Sequence, residues 1–179
     1  MRTHLMIIGF TMLACGTIPG CVGQTHDPVP TATGLTNAEP SAAQLIDRFL
    51  EALASKDPDA LHRLRVTEAE YREILMPGAV PEGQPPRRSS KEFADFSWGL
   101  VDTKSRYYEQ SLLYEYGGRQ LRLKAAVYER GEKHFANHDV HEQLRLELED
   151  GTSGAPVTLA TGSIVEVAGR YKFASYIRN

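Results

Sequence analysis

At Gly117-Gly118 the chain changes its period. Before that pair, apolar residues recur every three to four positions. After it they alternate with polar ones. Helices that all precede the strands cannot interleave with them as βαβ units. The pattern therefore predicts an α+β fold, with N-terminal helices packed on one face of a curved four-stranded antiparallel meander.

The helical half has readable starts and stops. Ser41-Ala42-Ala43-Gln44 fits a capping box, and positions 42, 45, 46, 49, 50 and 53 form one apolar face. Asp57-Pro58 opens a second, shorter helix bearing Leu61 and Leu64. Thr67-Glu68-Ala69-Glu70 is another capping box, opening a helix to about Met76 that Pro77-Gly78 ends. Residues 77–89 carry four prolines and two glycines and read as a loop.

Ser89 to Tyr116 reads as a long helix, with Ser89 and Glu92 as its cap and Gly99 as a possible kink point. Asp95, Asp102, Arg106, Glu109 and Gln110 cluster on one side and read as its wet face. Opposite lie two apolar flanks, Phe93, Phe96, Leu100, Tyr107 and Tyr114 on one and Trp98, Val101, Tyr108, Leu112 and Tyr116 on the other. Between them run Ser97, Lys104 and Ser111, so Lys104 is expected in a buried arc. Strands follow at Leu121–Val127, Leu144–Leu148, Val157–Val167 and Arg170–Ile177. The last two are apolar on both faces, which suits the middle of a sheet.

The first forty residues are of a different kind. Met1–His4 carries Arg2, and Leu5–Ala14 is an apolar run too short to span a bilayer, the layout of an export signal over residues 1–20. Ile18-Pro19-Gly20-Cys21 resembles a bacterial lipobox, with Pro19 as its departure from the usual small residue. That resemblance implies cleavage after Gly20 and acylation of Cys21. Several acyl chains, at about 0.8 kcal/mol per buried methylene, hold a protein on a membrane where one chain does not. Cys15, preceded by Met12-Leu13-Ala14, is the alternative lipidation site, and a plain secretory signal is the alternative leader. Val22 after the cysteine, where an Asp would signal retention, implies the outer membrane facing the periplasm in a Gram-negative cell. Residues 22–40 are rich in Gly, Thr and Pro and read as a flexible tether, leaving 41–179 as a single domain.

Cys15 and Cys21 are the only cysteines, so nothing past the leader offers a thiol for a disulfide, a zinc site or a nucleophile. A net charge of -3 with no basic stripe argues against nucleic acid as a partner.

Phe49-Leu50-x-Ala52-Leu53, Lys56-Asp57-Pro58-Asp59-Ala60-Leu61 and Gly162-Ser163-Ile164-Val165-Glu166-Val167 resemble the nuclear-transport-factor-2-like superfamily, which includes ketosteroid isomerase and polyketide cyclases. Leu64-Arg65-Val66-Thr67-Glu68-x-Glu70-Tyr71 with Trp98 and Lys104-Ser105 resembles a set of bacterial lipoproteins of unknown function. The resemblance implies a cone-like domain with a pocket, and no catalytic motif of the superfamily has its match here.

Lys104 stands out among possible site residues, because an ammonium in an apolar arc must be paired or lose its charge. Arg65, Glu68, Tyr71, Trp98, Lys104 and Tyr108 form a candidate pocket or buried polar network, with Glu68 or Glu70 as structural partners for the lysine. His134, His138 and His141 give no clean ligand triad, because on one strand the third points away from the first two. No metal or cofactor is expected. The expected function is a lipid-anchored envelope protein that binds a small apolar or anionic ligand or another envelope protein. The alternatives are a small isomerase- or cyclase-like enzyme using Lys104 or a buried acid, and a structural subunit of an envelope assembly.

Overall fold

The structure is a computed structural model and describes residues 34–178. The expected leader, Cys15 and Cys21 lie outside the described residues. No described helix is long and apolar enough to cross a membrane.

Local signals set the helices. Helix α1 spans Ala42–Ser55, and Ser41 caps it by accepting from the Gln44 N–H. Helix α2 spans Pro58–Arg63, capped by Asp57 through the Ala60 N–H. Thr67 and Glu70 complete a reciprocal capping box at α3, Glu68–Glu70. That helix continues through a π-helical turn, Tyr71–Leu75, into a last turn, α4, Met76–Gly78. Helix α5, Lys91–Tyr116, is continuous through Gly99, and its cap is Ser90 rather than Ser89.

The strands form two antiparallel sheets. One has the order β1 (Leu121–Tyr128), β4 (Leu144–Asp150), β5 (Pro156–Ala160). The other has the order β2 (Glu132–His134), β3 (Asp139–His141), β6 (Ile164–Val167), β7 (Arg170–Phe173). The α+β class is as expected, but the expected four-strand meander is seven strands in two sheets. Two differences carry the change. The short hairpin β2–β3 gives no hydrophobic alternation to read. The expected strand Val157–Val167 is two strands, because the chain leaves one sheet for the other at Thr161-Gly162-Ser163. There the Leu144 N–H donates to the Gly162 carbonyl and the Thr161 N–H to the Leu144 carbonyl, which ties the joint to the start of β4. An added methyl at Gly162 would overlap the Ser175 carbonyl oxygen, so only glycine lets these backbones approach so closely.

Helix α1 buries Leu45, Ile46, Phe49 and Leu53 in one cluster with Leu146, Leu159, Ile164 and Phe173. Phe49, Phe173 and Tyr176 stack within it at centroid distances of 5.1 and 5.7 Å from Phe49. A smaller cluster holds Leu35, Val66, Ile74, Val165 and Val167. The open edge of β7 is covered twice. Glu39 pairs antiparallel with Tyr171, and Arg65 pairs parallel with Phe173. Residues 34–40, read from composition as tether, thus belong to the fold, and Leu35 and Ala38 are buried.

Gly162→Ala should therefore cost about 1–3 kcal/mol through backbone overlap, seen as a lowered Tm in thermal unfolding. An unchanged Tm would show that this joint tolerates separation.

Candidate functional site

Because the β7 edge collects the N-terminal segment on one strand position and the α2–α3 connection on another, it brings polar side chains from distant parts of the chain together. They meet at a cleft of about 380 Å³ against α5, lined among others by His62, Arg63, Glu68, Trp98, Asp102 and Arg106.

The innermost group is Glu70. Its carboxylate accepts from the Thr36 N–H at 2.6 Å, the Thr36 hydroxyl at 2.7 Å, the Thr67 N–H at 2.7 Å and the Lys172 ammonium at 2.9 Å. Glu70 and Lys172 are only 5% and 2% exposed. Burial alone would push the Glu70 carboxyl up, but the bonds from Thr67, Lys172 and Thr36 together hold it below its ordinary value.

Beside it lies Arg65, 1% exposed, whose guanidinium donates to Asp102 at 2.6 Å. Arg106 donates to the other oxygen of Asp102 at 2.8 Å. Here too desolvation opposes ionisation, and the bonds from Arg106 and Arg65 override it, so Asp102 is held low. Deeper in α5, Glu109 is buried with Oε2 lacking a hydrogen-bond partner, as does Arg65 Nε. Desolvation raises the Glu109 carboxyl despite the nearby Arg65 and Arg106. His62, with Nδ1 3.9 Å from Glu109, is lowered by desolvation and then by the same two arginines.

The structure unites only part of the expected set. Glu68 and Trp98 line the cleft, Arg65 is buried and bonded to the Asp102 on its wall, and Tyr71 packs at a tilt against Trp98 at 5.4 Å. Glu68 pairs with Arg72 rather than with a lysine. Lys104 is exposed and Tyr108 packs under the Arg178 guanidinium at 5.4 Å, so neither belongs to the site. The lysine that needed a glutamate is Lys172. The cause is the orientation of α5. Its inward side carries Ala94, Trp98, Asp102, Ser105, Glu109 and Leu112, including residues that read as its wet face. Two of those polar groups, Asp102 and Ser105, have buried partners. Arg65 takes Asp102, and the Ser105 hydroxyl accepts from the Tyr176 N–H at 2.9 Å. Lys172 was missed because it stands in a strand whose neighbours are aromatic. Nothing local links it to Glu70, which lies 102 positions away.

The histidines are structural. His134 pairs with Asp139 at 2.8 Å, and His138 stacks on Phe135 at 4.9 Å. His141 lies between the Tyr128 and Tyr171 rings, within 2.5 Å of Glu132 and 3.3 Å of Glu166. Among the described residues no group of three or more His, Cys, Asp or Glu side chains is placed to hold a metal ion.

Two measurements follow from these pairs. Lys172→Met leaves a buried carboxylate without its counter-ion and should cost about 3–5 kcal/mol in urea unfolding. Adding Glu70→Gln should cost about 0.5–3 kcal/mol less than the sum of the single changes; strict additivity would deny the coupling. Glu109 has the opposite sign. Its raised folded value means that its ionised form opposes folding above that value, whereas below the ordinary glutamate range both states are protonated and the penalty is gone. Glu109→Gln should thus raise Tm at neutral pH and lose that gain on acidification. A loss of stability at neutral pH would show that the carboxylate is needed where it stands.

Comparison with protein-family models, with curated proteins and with solved structures finds no match for this chain.

Proposed function

We propose that this chain is a lipid-anchored envelope protein whose domain is an interaction module working through the outer face of α5. One observation carries the reading. Phe93, Phe96, Leu100, Tyr107 and Tyr114 lie on one side of α5 and are 57, 64, 47, 67 and 93% exposed. Contiguous exposed aromatic surface of this kind marks a binding face. The carboxylates of the cleft support a structural part for that region, since Glu70 and Asp102 are each held by cations. The order of helices before antiparallel strands also suits a nuclear-transport-factor-2-like origin, which belongs to the proposal together with the cone-like shape.

The anchor in this reading is Cys21, on the lipobox-like Ile18–Cys21. In a Gram-negative cell, Val22 after that cysteine favours the outer membrane, with the domain facing the periplasm. A second reading places a small anionic ligand in the cleft, supported by Arg63 and Arg106 on its wall.

An alkyne-tagged fatty acid fed to cells should label the chain, and Cys21→Ser should abolish the label while Cys15→Ser keeps it. Loss of label with Cys15→Ser alone would move the anchor, and an unlabelled wild type would remove it. For the face, hydroxyl-radical footprinting in intact envelopes should leave Tyr107 and Tyr114 slower to react than in the same protein purified and dilute. Equal rates would mean that nothing covers α5.

A further inference from the structure

We infer that the occupant of the α5 face is a second copy of this chain, lying antiparallel along the helix. The inference rests on the proposal that this face is the working surface, and names what works on it.

Spacing is the first argument. Positions 93, 96, 100, 103, 107, 110 and 114 follow one another at intervals of three and four throughout α5. That is the seam of a two-helix coil. Thr103 and Gln110 are its polar positions, both uncharged. The seam points away from the domain, because Ala94, Ser105 and Leu112 face inward and are buried.

Area is the second. With Phe96 opposite Tyr107 of the second copy, Tyr114 falls level with Ser89, ahead of that copy's helix. At roughly 150–250 Å² per aromatic side chain, the exposed fractions of Phe93, Phe96, Leu100 and Tyr107 amount to roughly 450 Å². A two-fold pair would cover about 900 Å² in total, the size of a weak, reversible contact. The same patch on both copies gives a closed isologous contact.

Charge is the third. Lys104 and Arg106 are the cations beside the middle of the seam. With Phe96 set opposite Tyr107 of the second copy, Lys104 falls level with Gly99 and Arg106 with Ser97 of that copy. Neither meets a like charge. A methyl added at Gly99 would meet nothing within 4 Å, so that side of the helix is open to close approach. A parallel pair would instead set the two Lys104 side chains level with each other, while Arg106 stays bound to Asp102. The net charge of -3 gives the chain no electrostatic attraction to an anionic lipid surface.

Oxidative cross-linking of the full chain in intact cells tests this. Thr103→Cys lies next to the two-fold axis of the pair and should give a disulfide-linked homodimer. Lys124→Cys, on β1, should give none. Adding Leu100→Glu and Tyr107→Glu to Thr103→Cys should lower the dimer at least about tenfold, since burying two carboxylates costs well over the 1.4 kcal/mol that a factor of ten represents. Both replaced side chains are exposed, and an unchanged Tm will show that the fold is intact. Absence of the homodimer, or a homodimer indifferent to the glutamates, overturns the proposal. So does a disulfide to a different protein, or labelling of the stripe by a lipid-borne photoprobe, while leaving the working-face reading in place. Equal footprinting rates at Tyr107 and Tyr114 would overturn both. The fatty-acid label reports on the anchor separately, because the pair needs no lipid to form.

Discussion

The carboxylate of Glu70 joins three remote stretches of chain. The N-terminal segment reaches it through Thr36, the start of α3 through Thr67, and the last strand through Lys172. A buried carboxylate is costly unless its lone pairs are filled and a cation is near. This one has both. The same contacts hold residues 35–38 against the edge of β7, where Glu39 and Arg65 extend the sheet. Without the ion pair, that edge would lose what fastens its two covers.

Around that point the domain keeps an unusual amount of charge out of water. Arg65 with Asp102 repeats the logic of Glu70 with Lys172, and both carboxylates are held low. Both therefore contribute stability above the ordinary carboxylate range and lose it as pH falls through their folded values. Glu109 works the other way, since it is buried with an unfilled oxygen. The Arg65–Asp102 pair joins the α2–α3 connection to α5. It is a good means of fixing how α5 sits on the body.

The orientation of α5 is what gives the molecule its exposed aromatic face. The helix has polar residues on its inward side and large apolar ones outside, the reverse of the usual arrangement for a surface helix. The inward polar groups meet Arg65, His62 and Tyr176, so turning them in leaves few of them unpaired. Turning Phe93, Phe96, Leu100, Tyr107 and Tyr114 out makes sense only if something else covers them. In the proposed pair a second α5 offers the same spacing.

Much of the fold was legible because it is local. Ser41, Asp57, Thr67 and Glu70 act on amides three residues away, so their caps show in any window of four. Alternation at Leu144, Leu146 and Leu148 shows which side of β4 is buried for the same reason. Partners far along the chain were not legible. Lys172 meets Glu70 across 102 positions and Arg65 meets Asp102 across 37. No spacing rule links such residues. Periodicity told that α5 has two faces, but which face turns inward depends on what waits there. By itself the sequence determined the helical segments, the caps of α1, α2 and α3 and the α+β order. Only tertiary structure decided the split into two sheets, the burial of Lys172 in place of Lys104 and the exposure of the aromatic stripe, since burial is a property of pairs of surfaces.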